Sequence, residues 1–217
     1  MRELVVLRHG EGEGNARGIV QGRMDLPLTE RGRGQARMAA ELLRAHGWVP
    51  AHVVSSPQER CFATATLVCD ALGIGPPTAD EAFVDLDVGH AEGRTMAELV
   101  REHPEVFARS AWQWRFDQVG GESRQQLLDR VAEGLERLPE REPVLLVSHG
   151  AVFKAVLNHL LGMSPDWLLD LRMCTVLRLR QKRTAGGRAW AFSELLHAEE
   201  WTASSRQESQ ESRGSRG

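Results

Sequence analysis

The chain has 217 residues, 41% hydrophobic and 26% charged, which leaves enough apolar side chains for one core and excludes disorder of the whole chain. The 27 basic and 30 acidic residues leave a net charge of -3, so no global positive field exists to hold nucleic acid or an anionic membrane. Cys61, Cys69 and Cys174 lack a CxxC pair, which argues against a disulfide framework or structural zinc. With a strand-like start at Glu3 and no apolar run of membrane length, they predict a cytoplasmic protein.

Glu3 to Leu7 is apolar, rich in β-branched residues and bounded by glycines, and reads as a buried strand ending at Arg8. After a glycine-rich loop, Thr29 caps a helix whose apolar face is Ala36, Ala39, Ala40 and Leu43, with Gly47 as its stop. Ala51 to Ser55 makes a second strand. Ser56 and Pro57 then read as a cap and first-turn proline for a helix carrying Ala63, Leu67 and Ala71, ending at Gly73 and holding Arg60 in its first turn.

Thr95 to Glu98 is a capping box, and Ser123 opens a longer helix with Leu127, Leu128, Val131, Leu135 and Leu138 on one side and Pro139 as its close. Val144 to Val147 is the clearest buried strand; Ser148-His149-Gly150 follows, then a helix with Val152, Val156 and Leu160. Thr175 to Leu179 and Ala189 to Leu195 read as two further strands joined by a basic turn, Arg180 to Arg188. Residues 1–200 form the expected catalytic domain. Residues 201–217 lack large apolar residues after Trp201 and are expected to be a disordered tail.

Strands alternating with helices predict an α/β fold with a mainly parallel central sheet and helices on both faces. Such sheets take ligands beyond the carboxyl ends of their strands. Arg8, His9, Arg60 and His149 all fall at or just after such ends. Two guanidinium forks there would grip a phosphoryl group and neutralise charge developing on its oxygens. An imidazole can attack phosphorus, so His9 reads as a nucleophile, and a charged His149 as a further donor to the same oxygens. The helix starting at Gly150 offers a positive dipole end. Taken singly, each histidine is a core residue and Arg60 a surface arginine. Their convergence at strand ends is what favours a site.

The chain resembles the histidine phosphatase superfamily, also called the phosphoglycerate mutase-like family. Arg8-His9-Gly10 matches its RHG signature. Asn15, DLPLTERGRGQA (Asp25 to Ala36), SSPQERCFATA (Ser55 to Ala65) and SHG (Ser148 to Gly150) follow in family order, over roughly Glu3 to Leu179. The resemblance implies a three-layer sandwich, a phosphohistidine on His9, and a phosphate pocket of Arg8, Arg60 and His149, with Asn15 and Gly150 as further substrate contacts. It also implies a carboxylic acid that protonates the leaving oxygen. The family pattern LxExxxGxxEG aligns with FVDLDVGHAEG, Phe83 to Gly93, and places Asp85 at the acid, with Asp87 and Glu92 as competitors. Asp85 is one methylene shorter than the usual glutamate. Glu11 keeps the family pattern. Gly12 replaces a common threonine or serine, and Gly14 a common aromatic, so a hydroxyl contact is expected to be lost and the loop to be looser.

The remaining histidines show no HxH or HExxH spacing, so no metal or other cofactor is expected. Cys61 reads as a small core residue, and Trp112, Trp114 and Phe116 as packing around Arg115. The expected activity is phosphomonoester hydrolysis of a small phosphorylated sugar, sugar acid or nucleotide-derived metabolite. The alternatives are a mutase and a non-catalytic phospho-ligand binder. Mutases of the family carry paired arginines after the acid, whereas Arg94, Arg101, Arg109 and Arg115 are dispersed here. A small phosphorylated substrate is the expected partner, without nucleic acid or membrane; a homodimer stays open.

Overall fold

In the computed structural model, residues 3–108, 115–140, 142–164, 169 and 171–201 are described. Among them six strands form one sheet: β1 (Glu3–Arg8), β2 (His52–Ser55), β3 (Thr78–Ala79), β4 (Val144–Ser148), β5 (Thr175–Thr184) and β6 (Gly187–His197). Their order is β3-β2-β4-β1-β5-β6. The first four are mutually parallel, and the β5–β6 hairpin adds antiparallel to β1, which gives the mainly parallel sheet expected. The described helices are α1 (Glu13–Arg17), α2 (Glu30–Ala45), α3 (Glu59–Leu72), α4 (Met96–Glu102), α5 (Pro104–Phe107), α6 (Arg124–Arg137) and α7 (Gly150–Leu161).

Side-chain alternation in the central strands divides the core into two layers. Leu4 and Val6 of β1, with Val144 and Leu146 of β4, pack under α6 and α7 beside Leu127, Val131, Phe153 and Val156. Val5, Leu7, Leu145 and Val147 face the other way, onto Ala39, Ala40 and Leu43 of α2 and Ala65 and Val68 of α3. Both strands are therefore buried on both sides, and each large apolar side chain removed from water contributes roughly 1.5–3 kcal/mol. The result is a three-layer α/β sandwich.

Local signals placed most elements correctly. Thr29 accepts from the Gly32 N–H, and Thr95 and Ser123 form capping boxes with Glu98 and Gln126. Two readings need correction. Helix α3 begins at Glu59, not at Pro57: the Ser56 hydroxyl accepts from the N–H of Gln58, the cap residue, at 3.3 Å and lies 2.9 Å from His149 Nε2, and the Glu59 N–H is capped from a distance by Asp25 Oδ1 at 2.6 Å. Its buried face is Arg60, Cys61, Thr64, Ala65, Val68 and Cys69, while Ala63, Leu67 and Ala71 are only half-buried. The basic stretch Arg180 to Arg188 is mostly strand: its residues pair across the hairpin down to Thr184 and Gly187, and only Ala185 and Gly186 turn. The expected tail after Trp201, Arg109, Trp112 and Trp114 lie outside the described residues. Among the described residues no helix is long and apolar enough to cross a membrane.

The loop after β1 lies against the first turn of α2 with no room for side chains between them. A Cβ on Gly32 would sit 2.1 Å from the Glu11 carbonyl oxygen, and one on Gly10 would sit 2.4 Å from the Gly32 oxygen. Both obstacles are backbone, so neither can swing aside. Gly32→Ala is expected to lower stability by about 1–3 kcal/mol, read as the chemical-denaturation midpoint; an unchanged midpoint would show that the close approach is not required.

Candidate active site

Strand register brings the site together. Arg8 pairs with Ser148 and Ser55 with Val147, so β1, β4 and β2 end side by side at one edge of the sheet. His9 and His149, each one residue further on, become neighbours: the His9 N–H donates to the Ser148 carbonyl at 3.0 Å, and the two rings stand edge to face at 5.1 Å. Arg60 enters from the first turn of α3, and Asp85 from the segment after β3. The convergence expected of Arg8, His9, Arg60, His149 and Asp85 is present in the fold.

Arg60 is the centre of the polar network, and its side chain is fully buried. One terminal nitrogen donates to the Met24 carbonyl at 2.9 Å; the other donates to the Gly22 carbonyl and to Asp85 Oδ2, both at 3.1 Å. The Arg8 guanidinium donates to the Leu171 carbonyl. In both arginines the Nε–H is buried without a hydrogen-bond partner among the described residues. Unpaired guanidinium donors away from water are strongly disposed toward an anionic acceptor.

The His9 ring is oriented by a hydrogen bond between its Nδ1 and the Gly10 carbonyl at 2.7 Å. A carbonyl only accepts, so Nδ1 carries the proton and Nε2 keeps its lone pair. Burial, then the charges of His149, Arg60 and Arg8, hold this imidazole well below its ordinary value of 6.5, against a smaller opposing effect of the Gly10 carbonyl. His149 is likewise held well below 6.5, by burial first and then by Arg60 and Arg8. Its Nε2 lies 2.9 Å from Ser56 Oγ and 3.2 Å from Cys61 Sγ, and its Nδ1 lies 3.5 Å from Asp85 Oδ2. The condition that His149 be charged is therefore not favoured: burial first, and then the neighbouring cations, hold the ring toward its neutral form.

Asp85 is fixed at every polar group: its N–H donates to Gln58 Oε1 at 2.8 Å, Oδ1 accepts from the Leu86 N–H at 2.9 Å, and Oδ2 takes Arg60. Its competitors stand elsewhere. Asp87 Oδ1 caps the Gly89 N–H at 2.9 Å, and exposed Glu92 faces Gly22, where an added Cβ would lie 3.3 Å from its carboxylate. Asn15 turns its side-chain oxygen to the Gly12 N–H, which donates to it at 3.0 Å. A Cβ on Gly150 would lie 3.8 Å from the Arg8 guanidinium.

Several supporting residues escaped the sequence reading. Thr64 Oγ1 accepts from the Gly10 N–H at 3.1 Å and donates to the Arg60 carbonyl at 2.7 Å. Its position one turn after Arg60 was the available signal. Buried Gln35 accepts from the Glu11 N–H at 2.7 Å and donates to Glu199 at 2.6 Å, while Arg31 bridges Glu11 and Glu199. Glu199 is 164 positions from Gln35, and nothing local announces that pairing. Arg130 is paired with Glu122 and donates to the carbonyls of Ala82, Val84 and Asp85. That contact holds the acidic segment in place.

The departures at Gly12 and Gly14 differ in consequence. Gln21 fills the space beside Gly14, where an added Cβ would lie 2.3 Å from its side chain, so the loop is packed rather than loose there. A Cβ on Gly12 would meet only ordinary contacts, 3.5 Å from Arg60 Cδ and from Gln21 Oε1, a buried acceptor without a partner.

Comparison with known proteins fits this geometry. The model of the histidine phosphatase superfamily (branch 1) matches residues 4–191. The chain belongs to that superfamily. This histidine phosphatase chain is 35% identical over 187 residues to "Probable phosphoglycerate mutase GpmB" of Salmonella paratyphi A, covering 82% of this chain and 85% of that protein. Mycobacterial glucosyl-3-phosphoglycerate phosphatase in complex with VO3 matches with a TM-score of 0.75 at 29% identity, over 89% of this chain and 98% of that one. A mutant phosphoserine phosphatase of Entamoeba histolytica in complex with phosphoserine matches with a TM-score of 0.74 at 25% identity, over 92% and 98%. With this membership and these neighbours, the chain is an enzyme of phosphatase type.

Two outcomes follow from the site's packing and charge. Gly12→Ser should leave stability within about 0.5 kcal/mol, whereas Gly14→Ser, which must displace Gln21, should lower it by about 1–3 kcal/mol; equal thermal midpoints for the two would contradict this assignment. The unfolded chain protonates both imidazoles near pH 6.5, and the folded chain resists doing so. Stability is therefore complete above that pH and declines as pH falls through it. Thermal unfolding between pH 7.5 and 5.5 should show the decline, and His149→Gln should make it shallower; a slope indifferent to the substitution would mean that the ring titrates normally.

Proposed function

We propose that the protein hydrolyses phosphomonoesters of small phosphorylated metabolites through a phosphohistidine on His9. The observation that carries this reading is the His9–Gly10 hydrogen bond, which leaves a neutral ring with an unprotonated Nε2 among buried guanidinium groups. The phosphoryl group binds to Arg8, Arg60 and His149, with Asn15 and the N–H groups at Gly150 completing the nest. Attack by Nε2 forms the N–P bond as the bond to the alcohol oxygen breaks. The ring becomes cationic, and the Gly10 carbonyl stabilises it through Nδ1–H.

Asp85 supplies the proton to the leaving oxygen. It shares Arg60 with the incoming phosphoryl group, so carboxyl and phosphoryl group are held beside one another. After the alcohol leaves, ionised Asp85 takes a proton from water as that water attacks phosphorus and the N–P bond breaks. The reaction needs no cofactor or metal. We place it in one catalytic domain, residues 1–200, working in the cytoplasm without nucleic acid or membrane. A phosphoglycerate mutase is the second reading, favoured by the curated name of the Salmonella relative. The phosphatase names of the solved neighbours favour hydrolysis.

Rapid quenching with labelled substrate should trap an acid-labile phosphoenzyme that His9→Ala cannot form. Asp85→Asn should slow alkyl phosphates by on the order of 10²–10⁴-fold and aryl phosphates far less, since an aryl leaving group needs little protonation. Equal losses would move the acid role elsewhere. Product analysis separates the two readings: released inorganic phosphate supports hydrolysis, and an isomerised ester supports the mutase.

A further inference from the structure

The segment Gln21–Asp25 is fastened to the start of α3. The Gly22 carbonyl accepts from Gln58 Nε2 at 3.0 Å and from Arg60 at 3.1 Å, and the Met24 carbonyl accepts from Arg60 at 2.9 Å. Asp25 caps the Glu59 N–H, and the Met24 N–H closes a turn onto the Gln21 carbonyl at 2.9 Å. Gly22 has φ +52°, and an added Cβ there would lie 2.4 Å from the Val88 side chain, so the segment is packed closely against its support.

Arg23 stands between the two carbonyls that hold Arg60. Its main chain is thus fixed beside the guanidinium assigned to the phosphoryl group, within the reach of one arginine side chain. That side chain is exposed, and among the described residues it has no hydrogen-bond or ion-pair partner. Its charge is also among those acting on His149, so its field enters the site. A surface arginine on a loose loop would be no more than solvated. This one has a stem tethered by hydrogen bonds on either side, beside the guanidinium of Arg60, and a planar fork matched to carboxylate and phosphate.

We infer that Arg23 binds a second anionic group, carboxylate or phosphate, on the alcohol portion of the substrate, and so selects doubly anionic phosphomonoesters. The inference rests on the phosphatase reading of the same site. The bound phosphoryl group lies against the buried arginines, and the alcohol portion extends outward past the Gln21–Asp25 segment. Arg23 meets it there.

The test compares kcat/KM of wild type, Arg23→Gln and Arg23→Lys on glycerol 1-phosphate, 3-phosphoglycerate and propane-1,3-diol bisphosphate, with an aryl phosphate as a separate check on phosphoryl transfer. Arg23→Gln should lose about tenfold on 3-phosphoglycerate, on the bisphosphate or on both, and less than twofold on glycerol 1-phosphate, which lacks the second anion. Arg23→Lys should recover part of the loss. The charged ester that suffers identifies the group recognised. Equal losses on all three esters, or no loss on either doubly anionic one, would overturn the inference. Absence of aryl phosphate turnover in wild type would refute the phosphatase reading instead, and calorimetric binding of the same three esters would then decide the role of Arg23 by the same two patterns.

Discussion

A fully buried guanidinium has to be compensated, and at Arg60 that requirement organises the site. Removing such a charge from water costs several kcal/mol unless acceptors surround it. Here they are the Gly22 and Met24 carbonyls and the Asp85 carboxylate. The two carbonyls belong to the segment after α1 and the carboxylate to the segment after β3. Satisfying one cation therefore fixes the segment after α1, the segment carrying the acid and the first turn of α3 relative to one another. Arg130 repeats the device one layer further out, gathering the carbonyls of residues 82, 84 and 85.

The same cations meet two demands of the proposed chemistry. A histidine that attacks phosphorus has to be neutral, and a site that binds phosphate has to be positive. Placing two imidazoles among arginines away from water meets both needs, because burial and like charge each disfavour the protonated ring. Orientation comes from the main chain: Gly10 holds the His9 ring through its carbonyl, and Thr64 holds Gly10 through its N–H. Glu199 and Gln35 brace the next peptide from the far end of the chain. The turn after β6 is thereby part of the support for His9.

Legibility followed the range of each interaction. Alternating apolar residues in β1 and β4, the caps at Thr29, Thr95 and Ser123, and glycine stops are local, and the elements they announce are present. Arg8, His9, Arg60 and His149 were readable because strand ends can be located from such patterns, and parallel sheets gather their strand ends. Ser56 misled because its hydroxyl, shared between His149 Nε2 and the Gln58 N–H, stands ahead of the residue that caps the helix. The Arg180–Arg188 stretch misled because solvent-exposed strand has the composition of a turn.

The sequence by itself determined which residues stand at the ends of the central strands and what chemistry they can perform, since hydrophobic periodicity and side-chain type are properties of short segments. Only the tertiary structure decided which of them touch. Arg60 and Asp85 meet across 25 positions, and Gln35 and Glu199 across 164. Those encounters depend on strand order, on the pairing of Arg8 with Ser148, and on the packing of two helical layers. The neutrality of the two imidazoles was decided there as well, because burial and neighbouring charge exist only once the chain has closed around them.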